Sequence, residues 1–170
     1  GYLEDRFEDN IIQLATSVNG DLLGLPYACS TPVVYVNADL MKEAGLDPEN
    51  PPVTFAEMIE AGKKIKASTG ENGFYIEVLA NTWATLPLLL GSGAEMYEMV
   101  DGKAVATFNT PEVVDTFEKW QKAFSDGATI DIANDEALAA FAAGKLGMYV
   151  TTIARRSYME ESCDFDLRTI

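Results

Sequence analysis

The sequence contains no histidine among its 170 residues, and basic side chains are scarce. Lysine and arginine number 12 against 27 aspartates and glutamates, which gives a formal net charge of -15 at pH 7. The lack of histidine excludes Ser-His and Cys-His catalysis and any metal site built on imidazole. The shortage of positive charge leaves no broad surface for a phosphate backbone or for anionic lipids, so we expect no nucleic-acid partner.

Cysteine and long hydrophobic runs are scarce as well. Cys29 and Cys163 lie far apart and fit neither a Cys-x-x-Cys motif nor a four-ligand zinc site, so two free thiols and one disulfide are the alternatives. The longest strongly apolar run, residues 86–90, falls far short of the about 20 residues of a membrane-spanning helix. No signal-peptide pattern opens the chain, which favours a cytosolic protein or a mature piece of an exported one.

What the sequence does contain is typical of a globular α/β chain. Apolar residues make up 48% of the sequence and charged residues 23%, and this length supports one core. The β-branched run Val33 to Val36 predicts a buried strand, and Asn37 then caps a short helix. Alternating strands and helices, together with one hairpin, predict an α/β fold with a mixed sheet flanked by helices.

Several boundaries carry explicit local signals. Thr54 and Glu57 form a capping box that opens a helix to about Lys66, and Thr110-Pro111 opens a helix of about four turns. Asp101-Gly102 predicts a type I′ hairpin turn between strands. Further expectations are a helix over 7–18 that feeds a small hairpin, strands over 73–78, 146–150 and 165–170, and helices over 83–90, 135–143 and 153–161.

Two hydroxyl residues, Ser30 and Thr31, lie in a proline-flanked loop before the first predicted strand. A stiff backbone with exposed hydroxyls suits hydrogen bonding to a polar ligand at a sheet edge. The alternative is an ordinary loop in which both hydroxyls bond only to their own backbone.

Four further residues are candidates for ligand binding. Trp83, at a helix start, can stack on the apolar face of a sugar, or it can pack in the core. Thr151 and Thr152 lie where a strand turns into a helix, a place where α/β sheets collect ligands, although helix capping alone also explains them. Arg155 follows in the first turn of that helix, where a compensating anion or plain solvation accounts for it.

No constellation indicates catalysis or a metal. The acidic stretch of residues 126–136 lacks the ligand rhythm and central glycine of a calcium loop, so no metal and no cofactor are predicted. Paired carboxylates such as Glu160-Glu161 are expected on the solvated faces of so acidic a chain. A carboxylate-based glycoside hydrolase fragment nevertheless remains an alternative interpretation.

The order of motifs along nearly the whole chain resembles the extracellular solute-binding proteins of carbohydrate-uptake ABC transporters, most closely the glycerol-3-phosphate-binding branch. The motifs that carry this resemblance are Asn19-Gly20 through Tyr27, Ser30 through Asn37, Ala44 through Pro48, Pro51 through Glu57, Trp83, Asp101-Gly102-Lys103, Asn109 through Glu112, and Phe141 through Lys145 before Met148.

The resemblance implies a periplasmic-binding-protein-like lobe of type II. It implies that residues 1–170 form a single lobe of a larger two-lobed protein, with flanking parts absent. Ser30, Trp83 and the turn at Thr151 and Thr152 would face the ligand cleft. The branch has a serine- and glycine-rich stretch at that turn, whereas this chain has Ile153-Ala154-Arg155, which makes Arg155 an anion contact of its own.

The function predicted from these observations is non-catalytic binding of a sugar, a polyol or a glycerol-phosphate-like solute for delivery to an ABC transporter permease. The expected location is periplasmic or extracellular, with a lipoprotein tether in the full protein. A surface protein-interaction domain is a further alternative. An isolated lobe exposes the surface that its partner normally covers, so self-association of the chain is also expected.

Overall fold

The computed structural model describes residues 2–78 and 80–170, which fall into two compact units, Gly1–Thr31 and Pro32–Ile170. The first unit contains helix α1, Asp9–Leu14, and one isolated antiparallel bridge between Thr16 and Leu22. The helix is shorter than the 7–18 expected, and the expected hairpin is reduced to that bridge. None of residues 2–31 is buried, so little apolar packing is available to extend either element.

The second unit alternates strands and helices, as the sequence predicts. Its strands are β1 Pro32–Asn37, β2 Asn72–Tyr75, β3 Tyr97–Val100, β4 Lys103–Ala106, β5 Leu146–Thr152 and β6 Leu167–Thr169. Its helices are α2 Ala38–Glu43, α3 Phe55–Thr69, α4 Thr82–Gly91, α5 Pro111–Ser125, α6 Asn134–Ala142 and α7 Arg156–Ser162, and a short 3-10 helix, Ile153–Arg155, precedes α7.

Four strands form one mixed sheet in the order β2-β5-β1-β6. Strand β5 runs parallel to β2, with Tyr75 opposite Tyr149, and antiparallel to β1, with Tyr35 opposite Tyr149. Strand β6 pairs antiparallel with β1 on the other side. Strands β3 and β4 form a separate hairpin whose turn residues, Asp101 and Gly102, have φ of 51° and 75°. The predicted mixed α/β sheet and the predicted hairpin are confirmed.

The strands bury alternate side chains on opposite faces of the sheet, as the two-residue period of a strand requires. Tyr35, Tyr75 and Tyr149 pack on one face in a cluster with Phe141 of α6. Val36, Phe74 and Met148 pack on the other face with Met58, Ile59 and Ile65 of α3. This double burial explains why β1 and β5 are apolar without polar alternation.

The predicted starts of helices α2 and α3 are confirmed. The Asn37 side chain accepts hydrogen bonds from the amides of Asp39 and Leu40, both at 3.1 Å. The Thr54 hydroxyl accepts from the Glu57 amide at 3.2 Å, and the Glu57 carboxylate accepts from the Thr54 amide at 3.0 Å, which completes the capping box. The helix that they open ends at Thr69, three residues beyond Lys66, because Gly70 is the residue that takes the left-handed φ of 79°.

Three glycines bring helix α3 and strands β2 and β5 into close contact. A methyl group on Gly73 would lie 2.5 Å from the Gly62 oxygen and nearer still to the Gly62 Cα and the Ala128 oxygen. A methyl group on Gly147 would lie 2.5 Å from Ile65 Cδ1 and 2.8 Å from the Gly73 oxygen. Backbone therefore packs on backbone here, a contact that only glycine allows.

Two strands are shorter than expected. The strand predicted over 73–78 ends at Tyr75, because the backbone then turns and the Val78 amide donates to the Ile76 oxygen at 2.9 Å. The last strand is limited to Leu167–Thr169 rather than 165–170. Strand β5, in contrast, extends through Thr151 and Thr152, both of which pair with β1. The early end of β2 leaves Glu77 in a loop at the edge of the sheet.

Candidate functional site

The parallel pair β2 and β5 places the residues that follow both strands at one edge of the sheet. Since Tyr75 lies opposite Tyr149, the loop after β2 and the last residues of β5 leave the sheet side by side. Ligands of open α/β sheets bind at the carboxyl ends of such strands. This edge of the Pro32–Ile170 unit is the candidate site.

A chain of hydrogen bonds links four elements at this edge. The Tyr149 hydroxyl donates to Asn134 Oδ1 at 3.0 Å, and Asn134 Nδ2 lies 3.5 Å from Glu77 Oε2. Asn81 Nδ2 donates to the same Glu77 oxygen at 2.9 Å, while Asn81 Oδ1 accepts from the Trp83 amide at 3.0 Å. Strand β5, the loop after β2 and the starts of α4 and α6 thus share one polar network, which we call the edge network. It fixes polar groups in place at a partly exposed surface.

A buried tyrosine holds the turn after β5 through hydrogen bonds to its backbone. The Tyr35 hydroxyl lies 3.2 Å from the Thr152 oxygen and 3.3 Å from the Ile153 oxygen, and it donates to this pair of carbonyls. The Thr152 side chain accepts from the Ala154 amide at 3.1 Å and so caps the 3-10 helix, as the capping interpretation predicts. Arg155, the last residue of that helix, is half-buried. Its guanidinium offers up to five donors near the end of β5.

The two tryptophans differ in their surroundings. Trp83 is the second residue of α4, keeps 37% of its surface exposed, and donates its backbone amide to Asn81 of the edge network. Trp120 packs against the core, and its ring stacks on Phe124 with 6.1 Å between the ring centroids. Its buried indole nitrogen has no hydrogen-bond partner among the described residues.

Burial and nearby charges shift the pKa values of Tyr75 and Tyr149, the two tyrosines at the candidate site. Burial raises the pKa of Tyr75 to about 12, and the Glu77 charge adds to the rise. Burial also raises the pKa of Tyr149, while the Thr151 hydroxyl and the Arg155 guanidinium oppose that rise. Glu77 and Arg155 therefore act on the pKa of Tyr149 in opposite directions: the negative charge of Glu77 raises it and the positive charge of Arg155 lowers it.

The raised pKa of Tyr75 predicts a loss of stability in alkali. A phenol whose pKa is raised in the folded state stabilises that state fully below its unfolded pKa near 10, and this contribution is lost as the pH rises to about 12. We expect the Tyr75→Phe variant to lack one late-ionising phenol in an alkaline absorbance titration and to lose stability less steeply over this range. Loss of a phenol that ionises near pH 10, with the late-ionising phenols all retained, would contradict the assignment.

The structure places the predicted residues in two groups. Trp83, Thr151, Thr152 and Arg155 all belong to the Pro32–Ile170 unit and lie on elements of, or directly beside, the edge network. Ser30 and Thr31 are exposed and belong to the Gly1–Thr31 unit, so their part in the site stays a prediction. Of the two hydroxyls on β5, Thr151 is only 7% exposed, and Thr152 is half-buried.

Sequence reasoning missed Glu77, Asn134 and Tyr149 as site residues. Each lies on a different element, and they come together through the parallel pairing of β2 with β5 and the contact of the α6 start with β5. The one available signal was that Glu77 lies near the end of the strand predicted over 73–78 and that Asn81 comes shortly after it, which is where α/β sites form.

The described residues contain neither a cluster that could bind a metal ion nor a disulfide. Within residues 2–78 and 80–170, no three His, Cys, Asp or Glu side chains are grouped so that they could hold a metal ion. Cys29 and Cys163 are both free thiols, and burial raises the pKa of Cys163. No helix of this described part is both long and apolar enough to cross a bilayer.

Comparison with known proteins gives one family. Residues 1–162 match the family described as bacterial extracellular solute-binding protein. Among curated proteins, the chain is 39% identical over 106 residues to the sn-glycerol-3-phosphate-binding periplasmic protein UgpB of Escherichia coli K12, a match that covers 58% of this chain and 23% of that protein. The UgpB of Agrobacterium fabrum is 39% identical over 83 residues, which cover 48% of this chain and 18% of that protein.

Solved structures share the fold. UgpB from Mycobacterium tuberculosis, solved in complex with glycerophosphocholine, superposes with a TM-score of 0.81 at 21% identity over 98% of this chain and 42% of that one. The cyclic alpha-maltosyl-1,6-maltose binding protein of Arthrobacter globiformis gives 0.77 at 25% identity over 95% of this chain and 41% of that one. The predicted periplasmic-binding-protein-like fold is confirmed, and the matched chains are more than twice as long as this one.

Proposed function

We propose, from the premise that the chain belongs to the family of bacterial extracellular solute-binding proteins, that it forms most of one lobe of a receptor for a small polar solute. The solute is a sugar, a polyol or a glycerol-phosphate-like compound. A second lobe, supplied by further sequence of the full-length protein, closes over the bound solute, and the closed form delivers it to the permease of an ABC transporter. The protein performs no chemistry on the solute.

The observation that carries this proposal is the edge network beside the exposed indole of Trp83. Carboxylate, amide and hydroxyl groups at Glu77, Asn134 and Tyr149 are held by one another, so their positions are set before a solute arrives. An exposed indole next to fixed polar groups is the combination that recognises a sugar ring or a polyol, because the ring face stacks while the hydroxyls hydrogen bond. Arg155, whose charge acts on Tyr149, adds guanidinium donors.

The cellular location and the other partners follow from the same proposal. A receptor that serves an ABC permease works outside the cytoplasmic membrane, in the periplasm or at the cell surface, and a lipoprotein tether keeps it there in the full-length protein. Ser30 and Thr31, on the loop that precedes β1, stay predicted solute contacts. The rival glycoside hydrolase interpretation requires turnover of a chromogenic glycoside that is lost when a single carboxylate is replaced.

The test is thermal unfolding of the full-length protein against a panel of sugars, polyols and glycerol phosphates, with the 170-residue chain measured alongside. A solute that binds only the folded state stabilises it by about 2.7 kcal/mol at a hundred times its Kd. We expect one class of compound to raise the unfolding midpoint of the full-length protein and to have little effect on the chain alone. If no compound shifts either protein, the solute-receptor proposal fails.

The chain alone is expected to self-associate. Tyr97 and Met99 are each 62% exposed, and Phe108 and Phe124 add further apolar surface on the Pro32–Ile170 unit. Contiguous apolar surface favours association with a second copy, while the net charge of -15 opposes it at low salt. Light scattering should give a mass that rises from 18.5 kDa towards twice that value as protein and salt concentrations increase. A constant monomer mass up to near-millimolar protein would refute this prediction.

A further inference from the structure

Glu77 is the one carboxylate in the edge network, and two helices fix its position. Its Oε2 accepts from Asn81, the residue before α4, at 2.9 Å and lies 3.5 Å from the amide nitrogen of Asn134, the first residue of α6. Its other oxygen, Oε1, receives no hydrogen bond from the described residues. The side chain is half-buried, so it remains accessible to a solute at the edge of the sheet.

The negative charge of Glu77 is not balanced by an ion pair. None of the salt bridges in residues 2–78 and 80–170 involves this residue, and its two hydrogen-bonding neighbours are neutral amides. The charge of Glu77 raises the pKa of the buried Tyr75 phenol and that of the buried Tyr149 phenol. The field at the edge network is therefore negative on the Glu77 side.

We propose that Glu77 is a specificity-determining residue that selects an uncharged, hydroxyl-rich solute and rejects phosphate esters. This inference rests on the proposed function and narrows its substrate class. A carboxylate oxygen accepts hydrogen bonds from solute hydroxyls, whereas a phosphate ester has few donors and brings a like charge towards it. Arg155 is compatible with this choice, since guanidinium N-H groups donate to hydroxyl oxygens as well as to anions.

The inference separates this chain from the relatives named for glycerol 3-phosphate, whose likeness alone would suggest a phosphate ester. Sequence identity reports the shared fold and family, while the charge next to the bound solute decides between neutral and anionic ligands. The deciding feature here is a carboxylate whose position is fixed by Asn81 and which forms no ion pair with the residues that the structure describes.

The experiment measures Kd by calorimetry for matched neutral and phosphorylated probes on the full-length protein. The probes are glucose with glucose 6-phosphate, glycerol with sn-glycerol 3-phosphate, and maltose. We expect the wild type to prefer the neutral member of the pair that it binds, or maltose over every phosphate ester, by roughly tenfold or more. The isosteric Glu77→Gln variant should reduce this preference to less than about threefold, because it removes the charge and keeps an oxygen acceptor.

A matched control separates local from overall charge. Glu98→Gln removes the same charge from the exposed hairpin strand β3 and should leave the preference unchanged. If Glu77→Gln does not fold, the salt dependence of the wild type replaces it, because screening of a like charge reduces the preference as ionic strength rises.

Three results would count against the inference, and they can be told apart. Tighter binding of a phosphate ester by the wild type, or a preference that neither Glu77→Gln nor salt changes, overturns the role of Glu77 and leaves the solute-receptor proposal intact. Binding of no sugar, polyol or phosphate ester overturns the proposed function and the inference together.

Discussion

The Gly73→Ala variant should lose about 3 kcal/mol of unfolding free energy, the upper end of what overpacking costs, and it is the most damaging single-methyl change that we expect in this chain. The added methyl group would collide with the Gly62 Cα and with the backbone oxygens of Gly62 and Ala128. These are backbone atoms of a helix and a neighbouring segment, so they cannot rotate away as a flexible side chain would. Denaturant unfolding followed by circular dichroism measures the loss.

Gly91→Ala is the matched control for this substitution. Gly91 is the last residue of α4, and a methyl group there meets no atom within 4 Å. Alanine restricts the unfolded chain more than glycine does, so this variant should be unchanged or more stable by up to about 1 kcal/mol. Equal losses in the two variants would show that the contact between α3 and β2 is looser than described.

The Trp83→Ala variant of the full-length protein should bind its solute at least about 30-fold more weakly, as expected for a central aromatic contact. The substitution removes an indole that is 37% exposed and leaves the Asn81 side chain free to accept from the amide of residue 83, so helix α4 keeps its cap. Calorimetry with the compound that gives the largest thermal shift measures the change in Kd.

Trp120→Phe serves as the control for solute binding. Trp120 packs against the core, and its indole nitrogen has no partner among the described residues, so phenylalanine removes volume without breaking a hydrogen bond. The variant should lose some stability and keep its affinity within about twofold. If both tryptophan variants weaken binding equally, Trp83 does not contact the solute.

Local chemistry allowed much of the fold to be predicted. Asn37, the capping box of Thr54 and Glu57, and the turn at Asp101-Gly102 each act within four residues, so sequence alone specified them. The sheet order β2-β5-β1-β6 could not be read in this way, because every neighbouring pair joins strands that are distant in the chain. The shortened α1 likewise reflects tertiary packing that a periodic pattern does not report.

The residues of the candidate site likewise fall into those that local signals predict and those that only long-range contacts bring together. Trp83, Thr151 and Thr152 were predicted because each lies at a strand end or a helix start that local signals mark. Glu77 and Asn134 were not predicted, because Glu77 is one of 27 acidic residues and its contact with Asn134 joins segments 57 positions apart. Their role arises only when α4 and α6 begin next to each other at the edge of the sheet.

The position of β5 in the middle of the sheet also governs when the nascent chain can fold. Strands β1 and β2 do not pair with each other, since each needs β5 between them, and β5 begins only at Leu146. At about 5–20 residues per second, a ribosome that has finished β1 works for on the order of 10 s before β5 is complete. Throughout that interval β1 and β2 have no strand between them to pair with, so their backbone edges stay unpaired.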